Sequence, residues 1–238
     1  MNWHVLVEKI RPYIFMIQTP EGSGTGFLFT YNDRKTVFGV ATAAHVIEHA
    51  NEWKLPIKLK HYNSQTEIFV NAEERAVFID KARDSASILI AGNLDYLPKE
   101  TLPLIDPDKF KKIGVEVGWM GFPSIAYPEL CFFTGGISAF AEDSYLIDGV
   151  AINGVSGGPV FCELKSGEPQ IIGTVLAYMA NRIRGDALPG LLKAQDVTSF
   201  HKHIKLIKDI DEARQKQEEE RRRQEEELKN MPPNQITE

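Results

Sequence analysis

Gly154-Val155-Ser156-Gly157-Gly158-Pro159 sets one hydroxyl among three glycines and closes the turn with a proline. Glycine carries no Cβ and takes backbone angles that other residues resist. A serine flanked this way stands proud of its chain while neighbouring N–H groups converge beside it. Acyl transfer asks for that arrangement: an exposed nucleophile next to backbone donors that hold an oxyanion. Gly, Ser and Pro are also the ordinary residues of a surface turn, so the hexapeptide alone leaves both readings open. A base and an orienting acid elsewhere in the chain decide between them.

Among six histidines, His45 is the candidate base. It follows Val40-Ala41-Thr42-Ala43-Ala44, an apolar run of small residues ending in a strand-to-helix or strand-to-loop transition, and its two alanines leave room for another segment to approach the ring. A lone histidine there can equally be satisfied by a backbone carbonyl. His4, His49, His61, His201 and His203 have polar or terminal surroundings and are expected at the surface. His201 and His203 have no third ligand near them in the chain, so no metal site is expected. The candidate acid is Asp84, in Lys81-Ala82-Arg83-Asp84-Ser85-Ala86-Ser87-Ile88, with Asp80 as its competitor. Small residues and then a β-branched strand follow Asp84 directly. That setting desolvates a carboxylate enough to hold an imidazole in one tautomer.

The chain order is then His45, Asp84, Ser156, one of several orders in which this constellation arises on unrelated folds. Here the sequence resembles the trypsin-like (chymotrypsin-fold) serine peptidases, and within them the bacterial HtrA-like branch more than the digestive one. Gly22-Ser23-Gly24-Thr25-Gly26-Phe27 looks like the glycine-rich strand opening the first barrel, and Thr42-Ala43-Ala44-His45-Val46 like the segment that carries the base. Asp84 to Leu89 looks like the aspartate and its small-apolar strand; Gly118 to Pro123 and Thr134 to Ala139 resemble paired strands of the second barrel. The resemblance implies an all-β fold of two six-stranded antiparallel β-barrels. It also implies a serine endopeptidase with catalytic His45, Asp84 and Ser156, an oxyanion hole of the Gly154 and Ser156 N–H groups, and no cofactor. The residue six before the nucleophile, Val150, would floor the primary specificity pocket, with Ala177, Tyr178 and Met179 lining it. A small or medium apolar residue before the cut follows. The position before the nucleophile is Val155, which forms no ion pair, so activation by a newly cut N-terminus is disfavoured. No peptide-binding domain of the HtrA (PDZ) kind fits in the residues left.

The 238 residues, 43% of them hydrophobic, suffice for a sizeable core. Gly and Pro scattered between short runs of Val, Ile, Phe and Tyr favour many strands over long helices. A peptidase domain over 1–200 is expected, with a first barrel at about 13–96, a link at 97–112 divided near Pro107, and a second barrel at about 113–198. The net charge of −6 and the lack of a basic stripe give no footprint for nucleic acid. The N-terminus lacks a signal-peptide pattern and no apolar run reaches membrane-span length, so no membrane partner and a cytoplasmic location are expected. Cys131 and Cys162 are expected as reduced, buried residues.

Residues 201–238 change character. From about Ser199 to Asn230 the chain reads as one helix, docked through Ile204, Leu206, Ile207 and Ile210. Beyond Ala213 it is nearly all charge, with Glu218–Arg222, Glu219–Arg223 and Glu225–Lys229 at i,i+4 spacing. There is no apolar heptad stripe for a coiled coil. A solvated helix and a docking arm for a partner both fit. The alternative to hydrolysis is a catalytically silent pseudoprotease that binds peptides or proteins.

Overall fold

The structure, a computed structural model, describes residues 2–92, 94–106, 112–150, 152–163, 167–183 and 186–230, with the side chains of 178–189 and 227–230 outside that description. The division expected near Pro107 lies outside the described residues. β1 (Ile14–Thr19), β2 (Gly22–Tyr31), β3 (Val37–Ala43), β4 (Ile57–His61), β5 (Glu67–Val70), β6 (Arg75–Asp80) and β7 (Ser85–Ala91) form one antiparallel sheet, ordered β5-β4-β1-β2-β3-β7-β6. β8 (Glu116–Gly121), β9 (Cys131–Ala141), β10 (Ser144–Asp148), β11 (Pro159–Glu163), β12 (Pro169–Ile183) and β13 (Asp186–Asp196) close into a six-stranded barrel. The described residues also form helices α1 (Trp3–Ile10), α2 (Ala44–Glu52) and α3 (Thr198–Asn230) and several short 3-10 turns.

The two-barrel architecture is as expected, with one adjustment. The first sheet has seven strands, and its edge strands β5 and β6 are not paired with each other. Arg75, the first residue of β6, spans this part of the fold with its side chain. Its guanidinium donates to the carbonyls of Val70 at 2.9 Å, Ala50 at 3.1 Å and Leu55 at 2.9 Å. A guanidinium, with five N–H donors in a planar fork, can serve three carbonyls at once.

β2 shows how the two units share a core. Seven consecutive residues, Gly24 to Thr30, are buried, which a half-solvated strand cannot be. Successive side chains of a strand point to opposite faces. Leu28 accordingly packs inside the first sheet with Phe15, Phe38 and Ile88, while Phe27 and Phe29 join a cluster with Trp119, Phe161 and Phe200. β2 is therefore the strand through which the first sheet meets the second barrel.

α1 has no counterpart in the sequence reading. It buries Leu6 and Ile10, and Trp3 packs on Phe132 and Phe161. In α3 the docked face differs from the expected one. Phe200 and Ile207 are buried and Ile204 packs against the core, but Leu206 is 40% and Ile210 38% exposed. At 3.6 residues per turn, positions 200, 204, 207, 211 and 218 share one face. Past Ile207 that face turns polar: Asp211 accepts the Asp33 N–H at 2.9 Å, and Glu218 pairs with Arg34. Glu218 thus serves the β2–β3 hairpin and not Arg222, which sits 3.9 Å from Glu226. No helix among the described residues is long and apolar enough to cross a membrane.

Of the histidines expected at the surface, His61 is buried and His203 is half-buried. His61 is 1% exposed, packs on Phe15 and Tyr96, and donates from Nε2 to the Pro12 carbonyl at 2.7 Å. His203 lies with Nδ1 2.6 Å from the Ser87 hydroxyl, tying α3 to β7. Burial lowers the pKa of both rings; for His203, Asp80 opposes the shift and Lys202 adds to it. A folded-state pKa below the unfolded value of about 6.5 means that the unfolded chain takes up more protons as the pH falls. Stability from these two groups is therefore complete above about pH 6.5 and declines below it. The thermal unfolding midpoint is expected to drop between pH 7.5 and 5.5, with a shallower slope in His203→Gln. A flat profile in the wild type would contradict this. Cys131 and Cys162 are free thiols. Cys162 is 1% exposed and burial pushes its pKa up to about 11, whereas Cys131 is only half-buried.

Candidate active site

Strand register brings His45 and Asp84 together. β3 and β7 pair antiparallel, and the last pair is Ala43 with Ser85. The next residue of one strand and the preceding residue of the other must then meet, and they do. The Ala44 N–H donates to the Asp84 carbonyl at 3.0 Å, the His45 N–H to Asp84 Oδ1 at 2.9 Å, and His45 Nδ1 lies 2.7 Å from Asp84 Oδ2. Asp84 turns the chain with left-handed angles, φ 48 and ψ 42, a conformation Asp tolerates better than most residues. The His45 side chain is 47% exposed, so its other face is open. Asp80 is committed elsewhere. Its carboxylate accepts from Ser199 Oγ at 2.9 Å and from the Arg83 N–H at 3.3 Å. Burial would raise its pKa, but Ser199 and Arg83 outweigh it and hold the carboxyl below the usual range.

The Ser156 turn comes from the second barrel and is strapped on both sides. Gly157 N–H donates to the Val175 carbonyl at 2.7 Å, Val175 N–H to the Gly158 carbonyl at 2.9 Å, and Thr25 N–H to the Ser156 carbonyl at 2.8 Å. Gly154 and Gly157 have φ of 93 and 83. A Cβ at Gly154 would stand 2.2 Å from the Phe122 carbonyl oxygen. Val155 and Gly158 donate to Ile152 and Val155 carbonyls, at 3.1 and 2.9 Å. Among the described residues, the N–H groups of Gly154 and Ser156 have no acceptor in the chain. The Asn153 carbonyl accepts from the Ser124 N–H at 2.7 Å. In a trans peptide the C=O and N–H point opposite ways, so this bond turns the Gly154 N–H away from Ser124.

The two halves meet at Gly24, whose ideal Cβ would lie 2.6 Å from Val46, the neighbour of His45, and 3.1 Å from the Ser156 carbonyl. Ser156 Oγ donates to the Leu176 carbonyl at 3.2 Å and makes no bond to His45. Val155 is fully buried. Val150, expected at the floor of a pocket, is 58% exposed in the connection after β10, an open surface position and not a closed floor. Ala177 is exposed on β12 beside Leu176; the backbones of Tyr178 and Met179 pair with Leu192 and Leu191, and their side chains lie outside the described residues. The sequence reading missed the supports of the turn, Thr25, Thr42, Ser124 and Leu176. Thr25 carries the one available signal, as the side chain between glycines in Gly24-Thr25-Gly26.

A closed six-stranded barrel beside a curled antiparallel sheet, with a helix at the C-terminal end, is the double-barrel fold of the chymotrypsin-like serine proteases. Solved structures with this fold include Rv3671c protease in an inactive form, at TM-score 0.59 and 18% identity, covering 85% of this chain and 92% of that one. A serine-to-alanine mutant of Rv3671c from M. tuberculosis H37Rv, also in an inactive form, aligns at TM-score 0.57 and 18% identity, over 85% of this chain and 89% of that one. No family model and no curated protein sequence matches the chain. At this identity the likeness is one of fold.

Proposed function

We propose that the protein is a serine endopeptidase working through an acyl-enzyme. The observation that carries this reading is the pairing of His45 with Asp84 at 2.7 Å beside a serine turn whose Gly154 and Ser156 N–H groups have no acceptor among the described residues. In this mechanism Ser156 Oγ attacks the scissile carbonyl and His45 Nε2 takes its proton, later returning it to the leaving amine. Asp84 accepts from Nδ1, fixes the tautomer and stabilises the imidazolium. The N–H groups of Gly154 and Ser156 hold the oxyanion; one such donor is worth about 3–4 kcal/mol of barrier. The exposed backbone at Ala177 on β12 would accept the substrate as an added strand.

We read the substrate range as restricted and the location as cytoplasmic, supported by the acidic composition and the two free thiols. The charged outer part of α3 is offered as a docking arm for a protein partner.

A catalytically silent, peptide-binding form is the second reading. It is favoured by the Ser156 hydroxyl donating to Leu176 and not to His45. Catalytic hydrogen bonds are often loose without substrate and tighten in the complex, and one turn about the Ser156 Cα–Cβ bond moves the hydroxyl off Leu176. A fluorophosphonate probe separates the readings. It is expected to label the wild type at Ser156, located by mass spectrometry of the labelled peptide, and to leave Ser156→Ala unlabelled. An unlabelled wild type favours the silent form, and equal labelling of both proteins removes Ser156 as the nucleophile.

A further inference from the structure

Thr25 is fully buried where β2 meets the Ser156 turn. Each of its polar groups is engaged. Its N–H donates to the Ser156 carbonyl at 2.8 Å, and its carbonyl accepts from Thr42 Oγ1 at 2.8 Å. Its hydroxyl donates to the Gly154 carbonyl at 2.8 Å and accepts from the Phe122 N–H at 3.1 Å. A single side chain therefore links the first sheet, the end of β8 and the turn that carries the nucleophile.

These bonds act on the peptides around the two unbonded N–H groups. The Gly154 carbonyl belongs to the peptide between Gly154 and Val155. Holding it limits rotation about ψ of Gly154, a residue with no Cβ to limit it otherwise. The peptide before it is held by Ser124 and the peptide after Ser156 by the Thr25 N–H. Val155, fully buried and apolar, supplies no polar side-chain contact to the turn. The orientation of residues 154–156 is thus shared between these backbone bonds and a hydroxyl that lies outside the turn.

We propose that Thr25 is a positioning residue, whose hydroxyl holds the Gly154 and Ser156 N–H groups in the geometry that binds the oxyanion. The proposal rests on the serine endopeptidase reading and adds to it the element that shapes the hole. Thr25→Val keeps the volume and removes the hydroxyl. It leaves the Gly154 carbonyl and the Phe122 N–H without a partner, and frees the turn to rotate.

The test is the kinetics of phosphonylation of the full chain by a fluorophosphonate, resolved into a limiting rate and an apparent inhibition constant. Thr25→Val is expected to lower the limiting rate by about tenfold to a hundredfold, the effect of misplacing a catalytic group by a fraction of an ångström to an ångström. The inhibition constant should stay within about twofold, because the probe is gripped elsewhere. Thr25→Ser, which restores the hydroxyl, should recover most of the rate; a purely structural role would not produce that split and rescue. Should Thr25→Val fail to fold, Thr25→Cys replaces the hydroxyl with a weaker donor and is expected to react at an intermediate rate. A wild-type limiting rate in whichever of these two variants folds overturns the proposal while leaving the peptidase reading standing. A wild-type protein that does not react overturns both.

Discussion

His45→Ala is expected to lower kcat by about six orders of magnitude, and Asp84→Asn by about four, the losses found where a triad acts as a unit. The geometry gives the reason for the difference. Without His45 no group accepts the Ser156 proton, and the hydroxyl keeps its resting bond to Leu176. Asparagine at 84 can still take the His45 N–H through its oxygen, as Asp84 Oδ1 does at 2.9 Å. Its amide would then meet Nδ1 as a second donor, forcing the imidazole into the tautomer that carries its proton on Nε2, where the serine proton must go. Fold and dyad spacing should be kept, so substrate affinity should change little. The measurement is kcat and KM on casein, with circular dichroism to confirm the fold. A His45→Ala protein within tenfold of wild type would end the acid–base assignment.

Gly157→Ala carries the largest expected structural effect. The residue has φ 83, and an added Cβ would lie 2.1 Å from Thr42 Oγ1 and 2.2 Å from the Thr25 carbonyl oxygen. A left-handed backbone costs a residue with a Cβ about 1–2 kcal/mol, and forcing a methyl into a packed site costs about 1–3 kcal/mol more. At about 2–4 °C per kcal/mol for a domain of this size, the unfolding midpoint should fall by roughly 10 °C. Relief of the clash would push the turn off Thr25 and Val175, so fluorophosphonate labelling should disappear as well. Gly22→Ala, where nothing lies within 4 Å of the new methyl, is the control and should melt like the wild type. Equal midpoints for the two variants would show that the packing around Gly157 yields more easily than its geometry says.

The parts of the molecule that were legible in the sequence are those where chemistry or backbone geometry restricts residue choice. The glycines around Ser156, the small residues before His45 and those after Asp84 each mark a close approach, and the structure has such approaches there. The docked part of α3 was legible as a helix and in half of its face: Ile204 and Ile207 dock as expected, Leu206 and Ile210 do not. The four expected apolar contacts ignored that Asp211 and Glu218 continue the docked stripe with polar partners from the β2–β3 hairpin. His61 was misplaced because its flanking residues, Lys60 and Tyr62, suggest surface, while the alternation of β4 turns the ring inward. Asp84 was preferred to Asp80 on the small residues that follow it; the β3–β7 register, a property of two segments far apart in the chain, gives the physical reason, because it sets Asp84 and not Asp80 against His45.

The candidate site has two owners. His45 and Asp84 are set by one sheet, through the register of β3 and β7. Ser156 is set by the other unit, and the bonds that Thr25 makes to the Ser156 carbonyl, the Gly154 carbonyl and the Phe122 N–H pin the two beside the site. A slip of an ångström between the units would leave each of them folded and the dyad intact, yet carry the hydroxyl out of reach of its base. Under the proposed peptidase reading, turnover would be a gauge of alignment between the two halves, and a protein native by every spectroscopic measure could still be idle.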